Sequence, residues 1–378
     1  MRKLKVMTIV GTRPEVIKMS RIIPELDRYT NHLLVHSGQN FDYELSEIFF
    51  DEMGLRKPDH FLGVAAESAA EAIGRTISSA DALFARESPD AVVFYGDTNT
   101  CLAVIPAKRR RIPVFHVEAG NRCFDQRVPE EINRKIVDHL SDVNLTLTEH
   151  ARRYLLAEGL PADRIIVVGS PMREVLDHYA RAIEASDVLA RLNLEKGRFF
   201  LVSAHREETV DSPERLSGLL ETLEALAQTF KRRVLVSTHP RTQKRMAEVR
   251  AVGRGSNGGV EFSKPFGFFD YVTLERNAFC VLSDSGTLTE EAALLGFPAV
   301  MIREAHERPE GMDEAVVIMS GLGRERILQS VDLVTRQDFR PNPVRDYGSG
   351  NVSQKVVRII LSSVDVVNRR VWFCPPSR

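Results

Sequence analysis

The chain has 378 residues, of which 43% are hydrophobic and 27% charged; this composition excludes a disordered chain and is typical of about two globular domains. Its 51 Lys and Arg against 52 Asp and Glu give a formal net charge of −1, which argues against partners such as nucleic acids or membrane surfaces. The four cysteines form no CxxC pair, the N-terminal apolar run is too short for a signal peptide, and no apolar run approaches about 20 residues, so we expect a cytoplasmic protein without a disulfide framework or a membrane span.

Short apolar runs alternate with segments of helical period along the whole chain. Two sets of these runs are bounded by turn residues and predict buried strands, at 6–10, 33–36, 91–95, 114–117, 143–147 and 165–168, and then at 199–203, 234–237, 259–262, 279–283 and 299–302. Continuous apolar strands separated by helices predict parallel sheets covered on both faces. We therefore predict an α/β fold with two doubly wound domains, residues 1–170 and 171–351, that face a central cleft, and a final helix in 352–378 that packs on the first domain.

The turn after the first predicted strand reads Gly11-Thr12-Arg13-Pro14 and leads into a helix that carries Lys18. Ligands of open parallel sheets bind at the carboxyl ends of the strands. A helix N-terminus flanked by Arg13 and Lys18 predicts an anion site there. The alternative is an ordinary turn with two solvated cations.

Three carboxylates follow neighbouring strands of the first domain. Asp97 comes directly after the third predicted strand, Glu118 follows the fourth, and Glu130 opens the next helix. Each has an ordinary structural explanation as a helix cap or a partner of the helix dipole. Three carboxylates that converge on one cleft are costly unless they are used, however, so we predict that they carry chemistry and that one or more has a raised pKa.

The second domain offers one histidine and one turn as candidates. His205 follows the strand 199–203, and the run Ser283-Asp284-Ser285-Gly286-Thr287 predicts a strand, a tight turn and a helix. The backbone N–H groups and the Ser285 hydroxyl of this turn can hold a diphosphate. Glu291 can accept hydrogen bonds from a ribose, and Arg308 supplies a nearby cation. The alternative is a capped helix with an exposed acidic pair.

Several common cofactor motifs are missing from the sequence. No G-x-G-x-x-G follows a predicted strand, and neither a Walker A motif nor an HExxH or Cys/His cluster occurs. A nicotinamide cofactor, an ATPase activity and a catalytic metal are therefore disfavoured. We expect no cofactor and no metal site.

Seven motifs follow one another along nearly the whole chain: Gly11-Thr12-Arg13-Pro14-Glu15, Gly96-Asp97-Thr98, His116-Val117-Glu118-Ala119-Gly120, Pro129-Glu130-Glu131-x-Asn133-Arg134, His205-Arg206-Glu207, Asp284-Ser285-Gly286 and Glu307-Arg308-Pro309-Glu310. Each motif alone is weak, but the ordered set resembles the non-hydrolysing UDP-N-acetylglucosamine 2-epimerases. The resemblance implies two Rossmann-like domains of the GT-B type. It also implies an isomerase that eliminates UDP from a UDP-sugar to give a glycal and adds it back with C2 inverted, without a redox cofactor.

The resemblance assigns roles to residues by matching motif. Asp97, Glu118 and Glu130 would be the acid/base and cation-stabilising carboxylates, and His205 their polar partner on the UDP side. UDP would be bound by a larger set, comprising Arg13, Lys18, Ser285, Gly286, Thr287, Glu291 and Arg308. Thr287 replaces the usual glycine of the family, and Tyr271 takes the stacking role of a segment that lacks the usual glutamine. Because family members are commonly dimers, the resemblance also implies a homodimer.

Three further segments, 120–128, 303–308 and 351–372, resemble one branch of the family. That branch converts UDP-2-acetamido-2,6-dideoxy-L-talose to UDP-N-acetyl-L-fucosamine for capsule and O-antigen synthesis, and Phe124 and Phe266 are candidates for an apolar lining near C6 of the sugar. The alternatives are the UDP-N-acetylglucosamine/UDP-N-acetylmannosamine 2-epimerase, a hydrolysing epimerase, a GT-B glycosyltransferase and a non-catalytic UDP-sugar sensor.

Overall fold

The computed structural model describes residues 2–39, 49–204, 212–238 and 259–374. The chain divides into two compact units: an N-terminal unit of Met1–Asp177 and Arg345–Arg378, and a C-terminal unit of His178–Val344. Among the described residues, no helix combines the length and the hydropathy that crossing a bilayer requires.

The N-terminal unit contains a seven-stranded sheet in the order β3-β2-β1-β4-β5-β6-β7. Every pairing is parallel. The strands are β1 (Lys5–Val10), β2 (Asn31–His36), β3 (His60–Phe61), β4 (Ala91–Tyr95), β5 (Val114–Val117), β6 (Val143–Thr146) and β7 (Ile165–Val167). Since the chain direction along the sheet reverses between β1 and β4, the topological switch point lies at the carboxyl ends of these two strands.

Helices cover the sheet of the N-terminal unit. They are Arg13–Met19, Ile22–Tyr29, Ala69–Glu87, Val104–Arg109, Pro129–Leu140, Glu149–Ala157, Met172–His178 and Val352–Arg370. The main apolar cluster joins β1 and β4 to the helix Ala69–Glu87, where Ile9, Phe94 and Phe84 are all at most 1% exposed. Burial of such side chains, each contributing roughly 1.5–3 kcal/mol, is the main source of stability for this layer.

The helix Val352–Arg370 belongs to this unit although it ends the chain. It packs against the helix Ile22–Tyr29 through an apolar stripe with a spacing of three to four residues, formed by Val352, Val356, Ile360, Val364 and Val367. Polar contacts anchor its first turn: the Ser353 N–H donates to Glu174 at 3.0 Å, and Lys355 Nζ donates to the Val168 carbonyl at 2.9 Å.

The C-terminal unit has a six-stranded parallel sheet in the order β10-β9-β8-β11-β12-β13. Its strands are β8 (Phe199–Ser203), β9 (Arg233–Ser237), β10 (Val260–Ser263), β11 (Cys280–Ser283), β12 (Ala299–Met301) and β13 (Ile318–Met319). Its helices are Ala180–Glu184, Val188–Arg191, Pro213–Phe230, Phe268–Asn277, Thr287–Leu295, Pro309–Asp313 and Arg324–Arg336. The switch point of this sheet lies between β8 and β11.

The two doubly wound parallel sheets confirm the predicted fold class. Both sheets carry the Rossmann strand order around their switch points. The two-residue edge strands β3 and β13 were not predicted, because strands of that length leave no apolar run in the sequence. They pair only at His60–Phe61 and Ile318–Met319.

Packing of the last helix on the N-terminal unit can be tested with two adjacent residues. Ile360 is 0% exposed and Leu361 is 45% exposed. We expect Ile360→Ala to lower the free energy of unfolding by about 2–5 kcal/mol, because it leaves a cavity. Leu361→Ala is the matched control and should cost about 0.5 kcal/mol or less. Urea denaturation measures both; equal losses would contradict this packing.

Candidate active site

Glu15 lies in the first turn of the helix Arg13–Met19, which follows β1. Its Oε2 accepts the N–H groups of Gly11 at 2.5 Å and Thr12 at 3.1 Å, and the Thr98 hydroxyl donates to its Oε1 at 2.6 Å. The two N–H groups that the sequence suggested for an external anion therefore bind the protein's own carboxylate. The pKa of Glu15 is raised from 4.5 to about 7; burial is the largest cause and the nearby Asp97 contributes, while the three hydrogen bonds oppose the rise.

Asp97 lies on the other side of the same switch point, just past the end of β4. Its Oδ2 accepts a hydrogen bond from Arg134 Nε at 2.7 Å, and its carbonyl oxygen accepts one from Asn133 Nδ2 at 2.9 Å. Arg134 is 3% exposed and also pairs with Glu131 at 3.0 Å. Two side chains of the helix Pro129–Leu140 thus bind Asp97, one at the backbone carbonyl of Asp97 and one at its carboxylate.

Glu118 follows β5 in a left-handed backbone conformation, with φ at +71°. For a residue other than glycine this conformation costs about 1–2 kcal/mol. Its carboxylate lies 3.4 Å from Lys18 Nζ and accepts a hydrogen bond from Asn121 Nδ2 at 3.0 Å. Lys18 is 4% exposed and lies 5.7 Å from the ring centre of Tyr95. A buried cation is therefore set against this carboxylate.

Glu130 differs from the other two carboxylates. It is half-buried in the first turn of the helix Pro129–Leu140. Among the residues that the structure describes, none forms an ion pair or a hydrogen bond with its side chain. Its neighbour Glu131 is 1% exposed and accepts the N–H groups of Cys123 at 3.1 Å and Phe124 at 3.3 Å. Of this acidic pair, Glu131 supports a loop and Glu130 is available for other contacts.

Arg13 is half-buried, and its guanidinium lies 4.5 Å from the ring centre of Phe49. The remaining candidate of the first unit, Lys18, has been placed beside Glu118. The structure therefore brings Lys18 to Glu118 and Glu15 to the Asp97 turn. It adds Arg134 and Asn133 as residues whose contacts the sequence did not predict. The spacing of Thr12 and Glu15 fits a capping box, and this signal could have identified the role of Glu15.

In the C-terminal unit, the predicted turn between β11 and the helix Thr287–Leu295 is present. The Ser285 hydroxyl lies 3.0 Å from the Thr287 hydroxyl, and Thr287 Oγ1 donates to Glu291 Oε2 at 3.1 Å. Gly286 begins the helix. A Cβ at this position would lie 2.3 Å from Glu307 Oε1, so any larger residue would require the Glu307 carboxylate to move.

Two buried ion pairs support this turn from the segment after β12. Arg308 Nη2 lies 3.7 Å from Glu290, and both residues are at most 2% exposed. Arg303 Nη1 donates to Glu307 Oε2 at 3.2 Å. Arg308 was predicted from sequence, whereas Glu290 and the pair of Arg303 with Glu307 were missed. These partners were missed because the helix and the segment after β12 come together only in the folded structure, and no local sequence pattern connects them.

The other predicted residues have different surroundings. Tyr271 is half-buried on the helix Phe268–Asn277 and packs against the apolar cluster that contains Leu274 and Phe266. His205 lies outside the described residues. Within the described ranges, no group of three or more His, Cys, Asp or Glu side chains is arranged to hold a metal ion.

Comparisons with known proteins identify the family. The family model for UDP-N-acetylglucosamine 2-epimerase matches residues 25–361. The chain belongs to this family. A solved UDP-N-acetylglucosamine 2-epimerase from Rickettsia bellii is 53% identical, covers 98% of this chain and all of that chain, and superposes with a TM-score of 0.91.

Two further 2-epimerases are similar over nearly their full length. The structure of the Methanocaldococcus jannaschii UDP-GlcNAc 2-epimerase in complex with UDP-GlcNAc and UDP is 33% identical, with a TM-score of 0.89, and covers 95% of this chain and all of that chain. A UDP-2,3-diacetamido-2,3-dideoxy-D-glucuronate 2-epimerase from Pseudomonas aeruginosa is 31% identical over 362 residues, covering 94% of this chain and 99% of the relative. The family to which the chain belongs is thus one of isomerases that act at C2, and its named members differ in the sugar.

The raised pKa of Glu15 predicts a measurable pH dependence of stability. A carboxyl group whose pKa rises on folding stabilises the fold below its unfolded value of 4.5, and this contribution is lost as the pH rises through about 7. Relative to the neutral variant Glu15→Gln, the wild type should lose about 3 kcal/mol of unfolding free energy between pH 4.5 and 7, and nothing more above that range. Urea denaturation of both proteins across the pH range measures this loss; a wild type whose stability relative to Glu15→Gln stays constant or increases between pH 4.5 and 7 would contradict the assignment.

Proposed function

We propose that this protein inverts C2 of a UDP-2-acetamido sugar by eliminating UDP and adding it back. The observation that carries the proposal is the set of three carboxylates after β4 and β5, each in a different electrostatic setting. Asp97 is paired with Arg134 at 2.7 Å, Glu118 lies 3.4 Å from Lys18, and Glu130 has no side-chain partner among the described residues. Membership of the 2-epimerase family supports the same reaction.

The chemistry requires such a set. The proton on C2 lies next to no carbonyl, so its direct removal is difficult. When the bond between C1 and the UDP oxygen breaks first, positive charge develops at C1 and the ring oxygen, and carboxylates stabilise it. A base then takes the C2 proton, which leaves a glycal and UDP. Return of a proton to the opposite face of C2 and of UDP to C1 completes the inversion, with no net oxidation or reduction.

The surroundings of the three carboxylates support a division of their roles. Asp97 and Glu118 each face a basic side chain, an arrangement that suits carboxylates that stabilise positive charge at C1. Glu130 is half-buried with no cation beside it among the described residues, and such a carboxyl group is suited to accept and return the C2 proton. His205 keeps its predicted role as a polar partner on the UDP side.

For UDP, the proposal uses the remaining candidates. The turn of Ser285, Gly286 and Thr287 at a helix N-terminus would hold the diphosphate, with cationic support from Arg308. Glu291, whose Oε2 is held by Thr287, would accept hydrogen bonds from the ribose with its other oxygen. The other predicted contacts to the nucleotide are Arg13, Lys18 and Tyr271.

We further propose UDP-2-acetamido-2,6-dideoxy-L-talose as the sugar substrate. The segment 120–128 that suggests this branch presents Phe124, which is 71% exposed and stacks edge-on against Tyr154 with 5.2 Å between ring centres. An exposed aromatic ring suits the methyl group of a 6-deoxy sugar. Phe266, the other candidate, is 8% exposed within the apolar cluster of its unit and is a core residue.

UDP-N-acetylglucosamine is the second candidate substrate. It is supported by the relatives from Rickettsia bellii and Methanocaldococcus jannaschii, whose names specify this sugar.

Proton NMR in D2O tests the reaction and the substrate together. The protein is incubated in parallel with UDP-2-acetamido-2,6-dideoxy-L-talose and with UDP-N-acetylglucosamine. We expect deuterium at C2 and an inverted product from the L-sugar, since elimination exposes C2 to solvent protons. Exchange with UDP-N-acetylglucosamine alone would retain the reaction and replace the substrate. UDP that accumulates with turnover would indicate hydrolysis, and exchange in neither tube would favour a sensor or a transferase.

Neutral variants of the carboxylates test their roles. We expect Glu118→Gln and Glu130→Gln to lower kcat by about 10²–10⁴-fold with KM changed little, because they remove groups that act in the transition state. Glu149→Gln is the matched control, since Glu149 lies in the first turn of the next helix with a side chain that is 46% exposed; the kcat of this variant should stay within about twofold of the wild type. Substrate binding without any loss of turnover in the first two variants would rule out the proposed roles.

A further inference from the structure

A chain of charged side chains lies beneath the loops that carry Asp97 and Glu118. It runs from Glu158 to Arg122 at 2.7 Å, from Arg122 to Asp138 at 2.7 Å, and from Asp138 to His116 at 2.8 Å. Arg122, Asp138 and His116 are each at most 1% exposed. Buried charges are tolerated only when they are closely paired, so this chain must have a well-defined geometry.

One end of the chain holds the Asp97 loop. His116 Nε2 lies 2.7 Å from the carbonyl oxygen of Gly96, the residue before Asp97. A carbonyl oxygen can only accept a hydrogen bond, so the imidazole N–H donates it. The histidine on β5 thereby fixes the peptide that leads out of β4 into Asp97.

The middle of the chain holds the Glu118 loop. Both oxygens of Asp138 lie 3.2 Å from the N–H of Gly120, and Arg122 Nη1 donates to the Asn121 carbonyl at 2.7 Å. Glu118 and Gly120 both have positive φ values, +71° and +83°. For Glu118, which is not a glycine, this conformation is strained and persists only where its surroundings enforce it. The contacts of Asp138 and Arg122 with the next residues of the loop do so here.

We propose that His116 is a positioning residue that sets Asp97 and Glu118 relative to each other, through Gly96 on one side and through Asp138 and Gly120 on the other. The inference rests on the proposed function, in which these two carboxylates stabilise the positive charge that develops at C1. His116 is too deeply buried to meet a substrate, so its contribution is to orient others. Among the described residues, it is the side chain that hydrogen-bonds both to Gly96 and to the acid that holds Gly120.

Two substitutions separate the two contacts of His116. The amide nitrogen of Asn lies where Nδ1 of His does, so His116→Asn keeps the contact to Asp138 and loses that to Gly96. The amide nitrogen of Gln lies near the position of Nε2 of His, so His116→Gln keeps the contact to Gly96. We expect His116→Asn to lower kcat for C2 exchange by about 10–100-fold with KM within about threefold, and His116→Gln to recover part of that loss.

His32 provides a matched control. It is 8% exposed on β2 of the same sheet, with Nδ1 2.6 Å from Asp27 and Nε2 2.9 Å from the Thr8 hydroxyl. It therefore has the same kind of contacts as His116 but none to the carboxylate loops. We expect His32→Asn to lower Tm as much as His116→Asn while kcat stays within about twofold of the wild type. If His116→Asn lowers only Tm, or if both variants lose kcat equally, the positioning role is overturned.

Hydrogen–deuterium exchange gives a readout that does not depend on turnover. In His116→Asn, amides of 96–104 and 118–124 should exchange about tenfold faster than in the wild type, whereas His32→Asn should leave them unchanged. If the wild type exchanges C2 hydrogen with neither sugar, the proposed function fails, and amide exchange still decides whether His116 couples the two loops. Unchanged exchange in both segments overturns the coupling.

Glu158→Gln is the alternative test variant if the His116 variants do not fold. The Glu158 side chain is 26% exposed at the outer end of the chain, so its replacement leaves no fully buried charge without a partner. It weakens the hold on Arg122. We expect faster amide exchange in 118–124 and a loss of kcat of about 2–5-fold with KM unchanged; wild-type values for both would overturn the proposal.

Discussion

Both faces of each parallel sheet are covered by helices, and this constraint decides where charge can lie. Beyond Lys5, β1 and β4 are buried along their whole length, so charged side chains are disfavoured in the middle of these strands. Charged groups are therefore forced to the carboxyl ends and to the helix starts that follow. At the switch point the helices diverge to opposite faces, and the loops after β1 and β4 lie side by side. Thr98 reaches Glu15 across this point.

Charge at this edge of the N-terminal unit is balanced locally. Arg134 offsets Asp97, Lys18 lies against Glu118, and the helix N-terminus receives Glu15. The balance differs in one respect that matters for chemistry. Burial raises the pKa of Glu15 to about 7, whereas Asp97 and Glu118 each face a basic side chain. One edge of a sheet can thus hold both a carboxyl group that titrates near neutral pH and two that are paired with basic side chains.

The sequence predicted the sheets and the site loops but not the contacts between them. Apolar runs such as 91–95 and 114–117 identified the central strands because both faces of these strands are buried. Asp97, Glu118 and Glu130 were predicted as site residues because each follows a strand or opens a helix. Arg134 was missed because its partner Asp97 lies 37 positions away, and no local pattern connects two such residues. Only a fold that places the start of one helix beside the end of another strand reveals the pair.

Stability alone does not explain the buried ions of the N-terminal unit. Replacement of a buried ion pair by apolar side chains is often neutral or stabilising, and the apolar cluster around Phe94 and Phe84 already supplies a core. Arg122 and Asp138 nevertheless lie in the interior at 1% and 0% exposure. Apolar side chains cannot donate to the Gly96 carbonyl or accept the Gly120 N–H, and these are the groups that flank Asp97 and follow Glu118. A chain of buried polar and charged side chains can bond to both loops at once. The contacts that orient the two carboxylates offset the desolvation cost of burying this chain.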